Sequence, residues 1–307
     1  MRRRLPQWAM TAMAIGGATL LVSGCEAQVW GTPPATDSAP QATFQAPQAP
    51  QAPPPPQAPP AAPFDGLEAR VQQATADMDA NGADVAIEVL DRTTGQRVSN
   101  GNGRPFPIAS VVKLFIADDL LLRTSEGDTE LSPADRKSLD VMLRSSDDSA
   151  AQMFWDRSGG NAIIGRIVDR YGLTGTTAPY NGHWDVTQST AGDLVTYYAK
   201  LLDGSGGLPK EQADIIIGNL AQSTPTGTDG YPQRFGIPDG LNAEPVAVKQ
   251  GWFCCWSGAN QLHVSTGVAG PDRRYVIAIG SLDPTDAATA REHVTEVVQT
   301  MFPGGKV

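Results

Sequence analysis

Apolar positions recur at Leu67, Val71, Ala74 and Met78. This three-to-four spacing lines one helix face, and Asn81-Gly82 ends it. From Asp84 to Asp91 the spacing drops to two, with Val85, Ile87 and Val89 alternating as in a strand. Thr93-Thr94-Gly95 then turns the chain into a short second strand near Arg97-Val98. Ser110 to Leu122 is apolar almost all round and predicts a buried helix. Residues 131–245 read as helical and loop-rich. Strand patterns return at Val246 to Cys255, Gln261 to Ala269 and Tyr275 to Ser281, with Gly270-Pro271-Asp272 turning between the last two. Arg291 to Phe302 closes the chain as a helix.

Strands from both ends must meet in one sheet to bury their apolar faces. The pattern therefore predicts an α+β fold: an antiparallel sheet flanked by terminal helices, with an inserted all-α lobe. The sheet is drawn from residues 64–109 and 246–307, and the lobe from 110–245. No internal repeat is visible.

The first 63 residues follow a different pattern. Arg2, Arg3 and Arg4 precede a short apolar run, Ala9 to Val22, and then Ser23-Gly24-Cys25. Charge, short apolar core and small residues in that order describe a secretory signal peptide, residues 1–24. The alternative, an uncleaved membrane helix, needs roughly 20 apolar residues, and this run is shorter. Cys25 directly after the cut resembles the lipobox of bacterial lipoproteins. That resemblance implies a diacylglycerol on the Cys25 thiol, an acylated amino terminus and an extracytoplasmic, membrane-anchored location; several acyl chains hold a protein stably where one does not. Residues 31–63 hold 12 of the 25 prolines, mixed with Gln and Ala, and predict an extended tether over 25–63.

Composition narrows the partners. Losing residues 1–24 removes three arginines and no acid, which takes the net charge from −10 to −13. A balance this acidic argues against nucleic acid. Three widely separated histidines offer no zinc-site spacing, and neither a metal nor another cofactor is expected. Cys254 and Cys255 are adjacent. An oxidising compartment favours their bond, but Cα atoms ~3.8 Å apart across a trans peptide sit below the usual disulfide range, which predicts partial bridging.

Three short segments carry chemistry. In Ile108-Ala109-Ser110-Val111-Val112-Lys113, the only S-x-x-K of the chain, Ser110 and Lys113 lie one helical turn apart on one face. Ser110 falls in the first turn, where unpaired N–H groups favour negative charge, and a neutral Lys113 can take its hydroxyl proton. A Ser that merely caps a helix is the plainer reading. Ser145-Ser146-Asp147-Asp148 places a second Ser and acids at a loop-to-helix junction, where a cap is again the plainer reading. Val248-Lys249-Gln250-Gly251-Trp252 puts a Lys on a strand, with a Gly that lets a ligand approach the backbone.

In this order and context the three resemble the S-x-x-K, S-D-N and K-T-G set of class A β-lactamases and penicillin-binding proteins. Arg104-Pro105-Phe106-Pro107-Ile108-Ala109 and Gly270-Pro271-Asp272-Arg273-Arg274-Tyr275 resemble that family's flanks, and the likeness spans residues 64–302. It implies that Ser110 is an acylated nucleophile and Lys113 its base. Ser146 would shuttle a proton, and Lys249 would add charge for a substrate carboxylate. Asp148, Gln250, Gly251 and Trp252 would contact substrate, with the Ser110 and Trp252 N–H groups forming an oxyanion hole. The implied partner is a peptidoglycan peptide or a β-lactam-like molecule, acted on by a monomer.

The departures are equally informative. Asp148 stands in place of the family's Asn and Gln250 in place of its Thr or Ser, whose hydroxyl helps hold the substrate carboxylate. The interval from Ser110 to Ser146 is short, so a piece of the lobe is absent. No Glu occurs from Ser146 to Lys210 to activate a deacylating water, and Asp185 is the nearest candidate, in an unmatched motif. Slow deacylation is expected. A non-catalytic domain that binds cell wall or a partner on the same fold remains open. A Ser-His-Asp esterase lacks its G-x-S-x-G elbow.

Overall fold

The computed structural model describes residues 64–307. The signal segment, Cys25 and the proline-rich stretch lie outside the described residues. The chain runs α1 (Leu67–Ala80), β1 (Asp84–Asp91), β2 (Arg97–Ser99), β3 (Phe106–Pro107), a 3₁₀ turn (Ala109–Val112) and α2 (Lys113–Ser125). There follow α3 (Pro133–Arg144), α4 (Asp148–Arg157), α5 (Ala162–Tyr171), a second 3₁₀ turn (Trp184–Val186), β4 (Gln188–Ser189), α6 (Ala191–Asp203), α7 (Lys210–Leu220) and the one-turn α8 (Ile237–Gly240). The chain closes with β5 (Val246–Trp256), β6 (Asn260–Ala269), β7 (Tyr275–Asp283) and α9 (Ala287–Met301).

The five longer strand segments form one antiparallel sheet in the order β2-β1-β7-β6-β5, so the N-terminal hairpin docks against the last strand. The expected α+β architecture is the observed one. Period-two alternation divides the sheet between two cores. Val85, Ile87 and Val89 of β1, with Ile277 and Ile279 of β7, meet Leu67, Val71, Val294 and Val298 of the terminal helices. Ala86, Leu90, Val276 and Ala278 face the other way, into the core built on α2 and α6. Phe235, Ile237 and Leu241 pack with the terminal helices.

Two local expectations are corrected. The serine segment is not the start of the α-helix: Ala109–Val112 is a 3₁₀ turn, and α2 begins at Lys113. The last helix starts four residues before Arg291, because Asp286 caps it through the Ala288 and Thr289 N–H groups. The Cys254-Cys255 peptide is cis, and the two cysteines are joined as a disulfide.

Candidate active site

Four segments converge where β5 abuts the 3₁₀ turn. Gly251 permits that approach: a Cβ there would lie 2.5 Å from the Ile108 carbonyl oxygen and 3.3 Å from the Ser110 nitrogen. The Ile108 N–H donates to the Thr187 carbonyl at 2.9 Å, which ties the turn to the Trp184–Val186 segment. Ala109, immediately before Ser110, is held at φ +45°, and Ser146 at φ +58°. Positive φ at two non-glycine residues of one site costs conformational energy that surrounding contacts must impose. Part of that imposition is visible around Ser145: Thr228 N–H donates to its carbonyl, and the Thr224 hydroxyl donates to its hydroxyl.

The structure brings together Ser110, Lys113, Ser146 and Lys249, all buried. Lys113 Nζ donates to Ser110 Oγ at 2.8 Å, to the Ser146 carbonyl at 2.6 Å and to Asp148 Oδ1 at 2.6 Å. Lys249 Nζ donates to Ser146 Oγ at 2.7 Å and to the Gln250 carbonyl at 3.0 Å. Ser110 and Lys249 are thus linked through Lys113 and Ser146. Burial pulls the Lys113 ammonium below its ordinary value, while Asp148 pulls it back up. Lys249 is driven well below its ordinary value, first by burial and then by the neighbouring Lys113 charge. Two amines sharing one dry site favour a neutral form, and a neutral amine can accept a hydroxyl proton.

Two substituted positions fall in different places. Asp148 opens α4, behind the N-capping Asp147, and its side chain is 68% exposed despite the ion pair. Removing Lys113 would therefore leave this carboxylate in water rather than buried. Gln250 does not reach the cleft. It shares the face of Val248, turned toward the terminal helices, and its side-chain NH₂ donates to the Phe235 carbonyl. Lys249 and Gly251 point the other way, as strand alternation requires.

A cavity of about 440 Å³ opens over Ser110, lined by Asp148, Trp184, Asp185, Asp229, Tyr231 and Trp252, with Phe253 and Cys254 at the end of β5. Trp252 and Asp185 were anticipated. Asp229 and Tyr231 were not, although an Asp-Gly-Tyr turn at 229–231 is a visible loop signal. Trp252 stacks on Tyr231 with ring centroids 4.9 Å apart and gives its indole N–H to Asp229 at 3.1 Å. Tyr231 in turn lies 2.6 Å from His263 Nε2. Lys113 Nζ sits 4.8 Å from the Trp184 ring centroid.

With this geometry in place, the relatives are informative. The chain is 59% identical over 244 residues to the protein provisionally named lipoprotein LppW in Mycobacterium tuberculosis and in Mycobacterium bovis, covering 80% of this chain and 77% of the relative. Among solved structures it resembles a β-lactamase from Chitinophaga pinensis, with TM-score 0.64 and 14% identity over 76% of this chain and 98% of that one. It also resembles PBP-A, with TM-score 0.64 and 20% identity over 80% of this chain and 97% of that one. No protein-family model matches the chain. At these identities the structural neighbours establish the fold, which is that of class A β-lactamases and PBP-A.

Proposed function

The chain belongs to the LppW lipoprotein family on a β-lactamase-like fold, and from that premise we propose that it is an envelope-anchored serine acyl-enzyme former. The observation that carries the reading is the buried contact of 2.8 Å between Lys113 Nζ and Ser110 Oγ, beside a second buried lysine. Attack by Ser110 Oγ on a carbonyl forms the C–O bond as the hydroxyl proton passes to neutral Lys113. The proton then travels through Ser146 to the leaving nitrogen as the C–N bond breaks. Asp148, Gly251 and Trp252 border the reacting carbonyl, and Gln250 acts only as support for β5. The N–H groups of Ser110 and Trp252 polarise the carbonyl, a contribution typically worth ~3–4 kcal/mol per donor. Cys25 carries the lipid, the proline-rich stretch is the tether, and the partner is a cell-wall peptide or related amide met by a monomer. One solved PBP-A variant is an acyl-enzyme with penicillin G, in keeping with such chemistry on this fold.

One observation favours the non-catalytic alternative: Asp148, 2.6 Å from Lys113, stabilises the ammonium. Intact-mass analysis of the full chain, treated with a fluorescent penicillin and with a neutral fluorophosphonate, separates the two readings. A single adduct on Ser110, lost in Ser110→Ala and in Lys113→Ala, is expected. Its absence with both reagents means the domain binds without reacting.

A further inference from the structure

The charged groups that face the cavity are Asp148, Asp185 and Asp229, all carboxylates, and the walls between them are aromatic. Lys113 and Lys249 lie beneath the floor with 0% and 2% exposure, each already bonded to acceptors of the protein. Among the described residues neither Asp185 nor Asp229 forms an ion pair. The acceptors of Asp229 are occupied by neutral donors, the Trp252 indole and the Tyr231 backbone N–H. Gln250 stands where a carboxylate-holding hydroxyl was expected, and its amide is turned into the opposite core. Apart from Ser110 itself and Arg291, which rests on the outer Tyr231 ring, the described lining shows an incoming anion no cationic or hydroxyl clamp.

Everything on those walls suits the opposite charge. Indole and phenol faces attract cations through the ring quadrupole, and the pull strengthens where water is excluded. The same molecule already seats cations on two rings bordering this cavity, Lys113 at 4.8 Å from Trp184 and Arg291 at 4.9 Å from Tyr231. Asp229 is pinned against the Trp252 edge, so a cation on that ring also meets a carboxylate. We propose that this cavity selects an acyl donor bearing a cationic group, an ammonium or guanidinium beyond the reactive carbonyl, rather than a donor ending in a free carboxylate. The inference rests on the acyl-enzyme reading and names its substrate class. The lowered proton affinity of Lys249, caused by burial and the Lys113 charge, is in keeping with it.

The test uses the full-length Ser110→Ala chain in detergent, which cannot be acylated, and three amides of N-acetylglycine. One carries a 3-aminopropyl ammonium, one a neutral propyl group, and one is the β-alanine carboxylate. Tryptophan-fluorescence titrations are expected to rank them ammonium over propyl over carboxylate, with about a tenfold gap between the first two at low salt. The gap should shrink in 0.5 M salt as screening shortens to a few ångströms, about 4 Å. It should also vanish in Asp185→Asn/Asp229→Asn, which keeps the side-chain shape and one acceptor oxygen at each position. Equal affinities, a carboxylate preference, no saturable ammonium binding, or a gap that survives the double substitution would each overturn the proposal. Ser110 labelling of the wild type by fluorophosphonate is read separately. An adduct without ammonium preference leaves the nucleophile standing and removes only the substrate class.

Discussion

Helix α2 buries charges of both signs, Lys113 at its first residue and Asp118 and Asp119 in its middle. Five residues after Lys113, Asp118 is enclosed by the α lobe. It accepts from Arg170, from the Tyr171 hydroxyl and from the Tyr197 hydroxyl at 3.2 Å, and Asp119 beside it takes a bidentate Arg166 at 2.6 and 2.8 Å. Burial pushes both tyrosines above their ordinary values, so they stay protonated donors. Lys113 is as deeply buried, yet its charged partner is the exposed Asp148 and its other neighbours are two serines. The middle of the helix thus has a closed, fully partnered charge that holds the lobe together. Its first residue has a charge whose proton burial works to remove. The same burial penalty applies at both positions, and they differ in how fully the partners enclose the charge.

Lys113→Met gives the largest contrast. Adduct formation on Ser110 should fall by ~10²–10⁴, the usual worth of a general base, read by intact mass. Stability in urea should stay level or rise, because Met removes a buried amine at similar volume and Asp148 returns to water. The pH dependence has a definite sign. The folded-state affinity of Lys113 for its proton is lowered, so the unfolded chain binds more protons below pH 10.5. Wild-type stability therefore gains from this residue as pH rises toward 10.5, and the Met variant loses that slope.

Asp118→Ala tests the closed site in the middle of the helix. It strands the Arg170 guanidinium and two tyrosine hydroxyls, and should cost ~3–5 kcal/mol in urea unfolding. A loss under 1 kcal/mol would mean that Lys113 and Asp118 do not differ as described.

Asp148→Asn has the smallest effect and sharpens the contrast most. Removing the charge that holds Lys113 protonated should move the rising limb of the acylation pH profile to lower pH and raise the rate at neutrality. A limb that stays in place would show that Asp148 does not govern the lysine.

The regular elements were readable because their information is local. Leu67, Val71, Ala74 and Met78 are the residues α1 buries, and β1 spans Asp84–Asp91 as its alternation implies. The lobe resolved poorly into elements beforehand, because its helices are mostly 10 to 13 residues long and joined by irregular connections of widely different length. Gln250 shows a different failure. The motif comparison assigned it to substrate, although the alternation with Val248 already placed both on the same face.

By itself the sequence determined the α+β division, the two faces of the sheet, the one-turn spacing of Ser110 and Lys113, and the strand that offers Lys249 and Gly251. Each follows from a helical or strand period acting over a few residues. Tertiary structure alone decided that Ser146 bridges the two lysines, that Asp148 reaches Lys113 from an exposed position, and that Asp185, Asp229, Tyr231 and Trp252 wall one cavity. These contacts join residues from 23 to 103 positions apart. No local period encodes such a meeting; it exists only once the sheet and lobe have packed and close approach at Gly251 has set the distance between them.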